Sequence, residues 1–276
     1  MAGDEAGAPE IGPIDLSRLN TGVPHPARVY DVWLGGKDNF AADRAAAEAG
    51  LQAFPSTIKS VRANRAFLAR TVRYLVQEQG LRQLLDIGTG LPSANNTHEV
   101  AQAVAPDTRV VYVDNDPIVL RHAEALLTST KPGATNYIDA DLRDPAAILQ
   151  QAARTLDLSQ PVGIMLIAIL HFIGEADQPY EIVGQLMDAV PPGSYLVPSH
   201  LASDIFPEEL AAFARMWNET ATEKVVLRDQ AEVTKFFDGL ELTEPGVVQI
   251  SKWRPASELE AAAPAAVWGG VARKQS

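Results

Sequence analysis

The sequence predicts an α/β fold built on a mostly parallel sheet, and three observations support this prediction. From Leu81 onward, strand-like apolar runs alternate with helical patterns, which favours parallel strands joined by right-handed crossovers. The stretch Leu84 to Gly90, Leu-Leu-Asp-Ile-Gly-Thr-Gly, is typical of a buried strand that ends in a tight glycine turn. A second strand, Arg109 to Asp114, ends in an acid about 25 residues beyond the glycines. Such sheets bind ligands beyond the carboxyl ends of their strands, so this turn marks the expected ligand site.

Composition and charge exclude several classes of function. The 276 residues suffice for one large α/β domain with an elaboration. A net charge of −12, without any basic run, argues against general nucleic-acid or anionic-membrane binding and fits a small, neutral or cationic substrate. The absence of cysteine excludes disulfides, thiolate nucleophiles and cysteine-based zinc sites, and the spacing of the five histidines predicts no metal site.

The amino-terminal segment is acidic and lacks the apolar core of a secretory signal. The longest apolar run, Ile164 to Ile173, is too short to span a bilayer. We therefore expect a cytoplasmic protein, and the sequence leaves its oligomeric state open.

The chain divides into a disordered tail (residues 1–12), a helical cap or lid (13–80) and a ligand-binding core (81–276). Asp38 or Asn39 is expected to cap the second helix of the lid. The predicted lid helices run from Ala27 to Leu34, from Ala41 to Ala53 and from Thr57 to Gln79.

The core is predicted to alternate strands and helices and then to end in antiparallel strands. After the first two strands, the parallel strands are expected at Asn136 to Ala140, Pro161 to Ile169 and Ser194 to Pro198. Helices are expected at Asn95 to Val104, Ile118 to Leu127, Pro145 to Ala153, Pro179 to Val190, Pro207 to Asn218 and Glu232 to Phe237. Closing strands are expected at Leu240 to Thr243, Val247 to Lys252 and Ala266 to Ala272.

The glycine turn alone does not identify its ligand, since Gly-Thr-Gly also occurs in plain turns. A dinucleotide site would have a small residue three positions after Gly90, where this chain has Ser93 directly after Pro92. The arrangement Asp86-x-Gly88-x-Gly90 instead resembles the first motif of class I S-adenosylmethionine-dependent methyltransferases.

Several stretches spread over nearly the whole chain resemble one family more closely. It is an actinobacterial S-adenosylmethionine-dependent methyltransferase family long catalogued as a domain of unknown function. The resemblance implies a class I methyltransferase fold, which is Rossmann-like, with a seven-stranded sheet that antiparallel strands close. The stretches that carry it are Pro26 to Asp31, Leu34 to Phe40 with Asp43, Asn64 to Leu68, Phe236 to Leu242 and Val271 to Lys274.

The resemblance also implies roles for single residues. Asp86, Gly88, Thr89 and Gly90 would contact the methionine end of the cofactor. Asp114, with the neighbouring Asn115, would bind the ribose, and Asp141 with Leu142 would read the adenine. Ala168 and Ile169 would lie beside the transferring methyl group, near His171. Many methyltransferases have Asp or Asn at the position of Ala168, so methylation of an amine is less favoured.

Each of these residues also has a structural interpretation. Asp114 could cap the helix that follows Asp116-Pro117, Asp141 could be an exposed turn acid, and His171 could be a packed histidine behind a strand. Tyr30 and Trp33, three residues apart, would ordinarily pack in a core, and the loop Lys37 to Asn39 would ordinarily face solvent.

The sequence is therefore interpreted as an S-adenosylmethionine-dependent methyltransferase that acts on an unidentified small-molecule acceptor. His171 is the first choice for a general base and Tyr30 the second. Asp31, Lys37, Asp38 and Asn39 are expected to form a lid near the methionine end or the methyl group. The alternatives are an S-adenosylmethionine-binding sensor without catalysis and, third, a nucleotide-dependent oxidoreductase.

Overall fold

One mixed sheet organises the protein in the computed structural model, which describes residues 19–126 and 132–276. Five parallel strands form it in the spatial order β3-β2-β1-β4-β5. These strands are β1 (Gln83–Ile87), β2 (Arg109–Asp114), β3 (Ala134–Asp139), β4 (Gly163–Ile167) and β5 (Tyr195–Leu201). The side chains of β1 and β4 are buried throughout, because helices cover both faces of the sheet. The predicted α/β fold class is confirmed, whereas the predicted tail lies outside the described residues.

The described residues form a sheet of nine strands, whereas seven were predicted. The difference lies in the antiparallel border of the sheet. The additional strands are β6 (Leu240–Leu242), β7 (Val248–Gln249), β8 (Val267–Gly269) and β9 (Ala272–Lys274). Both β8 and β9 pair with β5 in one continuous register, and β7 and β6 pair with them on the far side. The nine short strands therefore occupy seven positions across the sheet.

Pro198 explains why the strand beside β5 is split. The amide of Tyr195 donates to Val162 O, and Ser199 O accepts from Ala168, so the odd-numbered residues of β5 bond towards β4. Pro198 therefore faces the antiparallel side, where it has no N–H to donate. The ladder is interrupted there, between the pairs Leu196↔Ala272 and Ser199↔Gly269.

The helices agree closely with the sequence pattern, apart from two local differences. Thr57 begins a helix that ends at Arg73 and continues as a wider turn, Tyr74–Glu78, in which Gln79 donates to Tyr74 O. The expected cap by Asp38 or Asn39 is wrong, because Phe40 is the capping residue and its amide donates to Asp43. The helices are α1 (Pro26–Leu34), α2 (Ala41–Ala53), α3 (Thr57–Arg73), α4 (Thr97–Val104), α5 (Pro117–Leu126), α6 (Pro145–Ala152), α7 (Pro179–Asp188), α8 (Pro207–Thr220), α9 (Gln230–Thr234) and α10 (Glu258–Ala261).

The amino-terminal helices lie over the carboxyl ends of the strands. Helix α3 packs on the sheet, whereas α1, α2 and α8 form a separate apolar cluster around Trp33, Phe213 and Trp217. This placement puts α1 above the glycine turn and leaves a cavity between them. Within the two described ranges, every helix is too short or too polar to span a bilayer.

Candidate functional site

A large cavity lies between α1, α3, α8 and the carboxyl ends of β1, β2 and β4. It encloses about 1650 Å³ with its open mouth included. One end is polar and is formed by the glycine turn and the acids that follow β1, β2 and β3. The other end is apolar and is formed by the lid helices and α8.

The glycine turn after β1 is held in a conformation that only glycine adopts without strain. Gly88 has φ +76° and its amide donates to Val113 O (2.8 Å). A Cβ at Gly88 would lie 2.7 Å from the side chain of Ile169, whereas a Cβ at Gly90, with φ +66°, would meet no atom within 4 Å. The turn therefore packs on the loop after β4 and faces open cavity space at Gly90.

Asp86 lies at the end of β1 and is almost fully buried. Its Oδ2 accepts a hydrogen bond of 2.6 Å from the hydroxyl of Thr97, the first residue of α4. Burial raises the pKa of Asp86 to about 6, although this hydrogen bond and the charge of Arg65 oppose the shift. Asp86 and Thr89 both line the polar end of the cavity.

Asp114 holds the glycine turn and does not cap α5. One carboxylate oxygen accepts from the Gly90 amide (2.8 Å) and the other accepts from the Asp116 amide (3.0 Å). The helix is capped by Asp116, which accepts from the amide of Ile118. Burial raises the pKa of Asp114, and the neighbouring His25 charge opposes this shift. Each Asp114 oxygen keeps a lone pair for a ligand, and the residue lines the cavity.

Asp141 lines the cavity. It also stabilises a turn after β3, which is the structural role considered for this residue above. Its carboxylate accepts from the Arg143 amide and from Asn115 Nδ2 (3.0 Å), which joins the loops after β2 and β3. Arg143 also contacts Asp177 and Glu223, so it connects this loop to two others. The adjacent Leu142 is buried and contributes an apolar surface to the cavity.

The loop after β4 carries Ala168, Ile169 and His171 into the cavity lining. Burial, together with the nearby His200 and Arg228, lowers the pKa of His171 well below its usual 6.5, so the imidazole is neutral. Its Nδ1 is buried without a hydrogen-bond partner among the described residues. His171 is therefore able to accept a proton, although its basicity is weakened.

Arg228 fixes this loop from behind, and the sequence analysis did not identify it. It donates to Leu170 O (3.2 Å) and Ile173 O (3.0 Å), on either side of His171. It also contacts His200 Nε2 at 2.8 Å and Glu175 Oε1 at 2.6 Å. Since His200 Nε2 accepts from Arg228, its Nδ1 carries the proton that reaches Leu201 O. Burial lowers the pKa of His200 to about 3.

Tyr30 belongs to a hydrogen-bond chain that connects the lid with the loop after β4. Its hydroxyl donates to Val61 O (3.3 Å) and accepts from Asn64 Nδ2 (3.1 Å). Asn64 Oδ1 accepts from the hydroxyl of Ser199, which accepts from the amide of Ala168. Burial raises the pKa of Tyr30, and its hydroxyl is already engaged, so this geometry disfavours Tyr30 as a general base.

The predicted lid residues separate into two groups. Asp31 lines the cavity, as Tyr30 does, whereas Lys37, Asp38 and Asn39 do not. Asp31 Oδ2 accepts from the Asp38 amide (3.0 Å) and from Asn39 Nδ2 (2.9 Å), so this loop holds Asp31 in place. Asp38 itself lies 3.5 Å from His122 on α5, and Lys37 is exposed. We expected Lys37, Asp38 and Asn39 to reach into the cavity, but none of these three residues lines it.

A buried charge cluster attaches the lid to the end of β2. His25 Nδ1 lies 2.9 Å from Asp116 Oδ2, and Arg28 lies 3.5 Å from both Asp116 and Asp43. Burial opposes protonation of His25, but Asp116 outweighs it and raises the pKa of His25. The His25 contribution to stability is therefore present below about pH 6.5 and is lost as the pH rises through the folded-state pKa.

Comparison with known proteins adds an independent line of information. The sequence model of a family described as S-adenosyl methyltransferase matches residues 14–275. No curated protein sequence matches the chain.

Three solved structures are similar to the chain. A DUF574 family protein from Streptomyces avermitilis has 45% identity and a TM-score of 0.89, and the match covers 92% of this chain and 98% of that one. A candidate methyltransferase from Thermobifida fusca has 41% identity and a TM-score of 0.86, with 92% and 96% covered. The plantazolicin methyltransferase BpumL, solved with S-adenosylhomocysteine, has 13% identity and a TM-score of 0.50, with 91% and 96% covered. This last similarity concerns the fold alone.

The two turn glycines provide a matched pair of variants. Gly88→Ala and Gly90→Ala both introduce a Cβ at positive φ, which costs on the order of 1–2 kcal/mol of stability. Only Gly88→Ala also collides with Ile169, so we expect a clearly lower free energy of unfolding in urea for this variant. Gly90→Ala should instead weaken binding of S-adenosylhomocysteine, measured by calorimetry. Equal destabilisation with unchanged affinity would contradict this assignment of the open side of the turn.

Three histidines should titrate differently in NMR spectra of the imidazole groups. We expect the pKa of His25 to lie above 6.5, that of His171 to lie well below 6.5 and that of His200 to lie at about 3. Single His→Gln variants assign the resonances. A His171 resonance that titrates near pH 6.5 would contradict the described burial next to Arg228.

Proposed function

This chain belongs to the S-adenosyl methyltransferase family, and we propose that it transfers a methyl group to a small-molecule acceptor held in the cavity described above. The enzyme class and its cofactor, S-adenosylmethionine, follow from the family. The proposal concerns the acceptor and the residues that act. One observation carries it, namely that a single cavity joins the glycine turn and Asp114 to the surroundings of His171.

The polar end of the cavity has the chemistry that the cofactor requires. Asp114 offers two carboxylate oxygens for the paired hydroxyls of a ribose, and Asp141 and Asn115 lie beyond it towards the end of β3. The open side of Gly90 lets a ligand approach the backbone where a Cβ would intervene. Asp86 and Asp31 supply negative charge near this end, which suits a ligand with a cationic amino group and a sulfonium.

S-adenosylmethionine supplies an activated methyl group, which the lone pair of an acceptor takes in a direct displacement. The protein mainly has to align the two reactants in a dry cavity. We propose that the loop from Ala168 to His171 borders the point of transfer, because it packs against Gly88 and opens towards the apolar end. The chain from Tyr30 through Asn64 and Ser199 to the Ala168 amide fixes this loop against the lid.

We propose that His171 takes up the proton from those substrates that lose one when they are methylated. Its imidazole is neutral, and Arg228 holds the backbone on both sides of it. Burial, together with His200 and the charge of Arg228, lowers the pKa of His171 and makes it a weak base, which favours acceptors whose proton is easily lost. Tyr30 is not proposed as a base, since its hydroxyl already donates to Val61 O.

The acceptor is proposed to be a small molecule and not a nucleic acid. The net charge of −12 disfavours binding to a polyanion. Acids also surround the polar end of the cavity, where a phosphate backbone would be repelled. A cytoplasmic location stays a prediction from the sequence.

Calorimetry with S-adenosylmethionine, S-adenosylhomocysteine and NAD tests the cofactor site. Asp114→Ala should weaken binding of both adenosyl compounds at least about tenfold, because hydrogen bonds to a charged group contribute roughly 1.5–3 kcal/mol. Asp188→Ala, which removes an exposed carboxylate at the end of α7, is the control and should leave affinity unchanged.

Preferential binding of NAD would favour the oxidoreductase alternative. Unchanged affinity in Asp114→Ala, together with a lower melting temperature, would mean that Asp114 serves only to hold the glycine turn.

A second pair of variants tests the role of the lid. Asp31→Ala should weaken S-adenosylmethionine binding about three- to tenfold, because it removes a cavity-lining carboxylate near a cationic ligand. Lys37→Ala should change affinity less than about twofold, since Lys37 is exposed and does not line the cavity. Equal effects of the two variants in calorimetry would refute this division of the lid.

A further inference from the structure

The apolar end of the cavity has a distinctive wall, which we call the aromatic slot. It is formed by Trp33 of α1, Phe54 after α2, Phe172 after β4 and three residues of α8, namely Leu210, Phe213 and Trp217. The slot begins next to His171, because the ring centroids of Phe172 and His171 lie 4.4 Å apart. It therefore starts where the loop after β4 ends.

The rings of the slot form a continuous aromatic surface. Trp217 is its centre, with ring-centroid distances of 5.9 Å to Phe213, 6.1 Å to Phe172 and 6.5 Å to Trp33. Trp33 and Phe213 are 6.1 Å apart and close the group. These separations lie within the range over which aromatic rings attract each other, so the rings hold one another in place.

The polar atoms of the slot are already used by the protein. Trp33 Nε1 donates to Ala47 O (3.1 Å) and Trp217 Nε1 donates to Glu223 O (2.7 Å). On α3, the hydroxyl of Thr57 donates to Phe54 O, and that of Ser60 accepts from the Ala266 amide. The wall therefore offers a ligand apolar contact and few hydrogen bonds, and a charged group would lose its hydration there without compensation.

Two charged residues adjoin the slot, and they neutralise each other. Arg143 donates to Phe172 O (3.1 Å) and pairs with Glu223 at 3.0 Å, whereas Asp31 holds a loop that reaches α5 on the side of β2. Trp33, Phe213 and Trp217 keep at most 9% of their surface accessible, because they pack mainly against one another. A planar ring can contact the small part of each side chain that faces the cavity.

We propose that the aromatic slot binds the methyl acceptor, and that the acceptor is an uncharged compound with a planar aromatic ring whose nucleophilic atom points towards Ala168 and His171. This inference rests on the proposed function, because it assigns the substrate class of the same cavity. The aromatic ring fills the slot, and the reacting atom lies at the boundary between the slot and the polar end. The side chains Phe213 and Trp217 then select the acceptor by shape and polarity.

Three naphthalene-sized probes test this substrate class on the full chain saturated with S-adenosylhomocysteine. The probes are 2-naphthol, which is planar and neutral, decahydro-2-naphthol, which is neutral but not planar, and 2-naphthoate, which is planar but charged. Calorimetry should give saturable binding of 2-naphthol, with affinity at least about tenfold above that of the other two.

Phe213→Leu should weaken 2-naphthol binding about three- to tenfold, because it removes one ring of the slot but keeps its apolar character. Phe237→Leu is the matched control, since Phe237 is equally buried but lies outside the cavity lining. It should leave 2-naphthol affinity unchanged. Phe172→Leu, at a less buried position of the slot, replaces Phe213→Leu if that variant fails to fold.

The results separate the inference from the proposed function on which it rests. Absence of saturable 2-naphthol binding, equal binding of 2-naphthoate, or unchanged affinity in the slot variants overturns the substrate class while S-adenosylhomocysteine still binds. Failure to bind S-adenosylhomocysteine overturns the proposed function itself.

Discussion

The hydrogen bond between the Gly90 amide and Asp114 is the contact on which the remainder of the site depends. It fixes the turn after β1 against the end of β2 at 2.8 Å. The second oxygen of Asp114 holds the Asp116 amide, and Asp116 in turn contacts His25 at the start of the lid. Three carboxylates, those of Asp86, Asp114 and Asp116, therefore lie buried close to one another. Such a concentration of negative charge is costly without partners, and it is offset by His25, by Arg28 and by backbone amides.

The electrostatic character of the cavity changes along its length. Burial raises the pKa values of Asp86 and Asp114 at the polar end, whereas burial and Arg228 lower that of His171 at the other. The raised values show that burial disfavours the charged carboxylates, a cost that a cationic cofactor would offset, and the proposed base is kept neutral. The same Arg228 that weakens His171 also fixes its backbone through Leu170 and Ile173. Arg228 therefore contributes both to the rigid position of His171 and, after burial and His200, to its weak basicity.

Much of the fold and part of the site could be predicted from the sequence because the signals are local. The glycine turn, Asp114 and the alternating strands each follow from a few adjacent residues. The chain from Tyr30 to Ser199 could not be found in this way, since its members come from α1, α3 and β5 and meet only in the folded protein. The expectation of seven strands did not take into account that Pro198 has no N–H to donate, which splits the strand beside β5. The lid expectation did not anticipate that Asp38 and Asn39 turn towards Asp31.

The contacts of Tyr30 with α3 have a thermodynamic consequence for the unliganded protein. Any movement that separates α1 from α3 breaks the bonds of its hydroxyl with Val61 and Asn64. Two buried hydrogen bonds at about 1 kcal/mol each would favour the closed arrangement roughly thirtyfold over an open one. The closed form is then the dominant member of the ensemble before any ligand arrives. Ligands therefore meet a preorganised cavity, and little of their binding free energy is spent on ordering it.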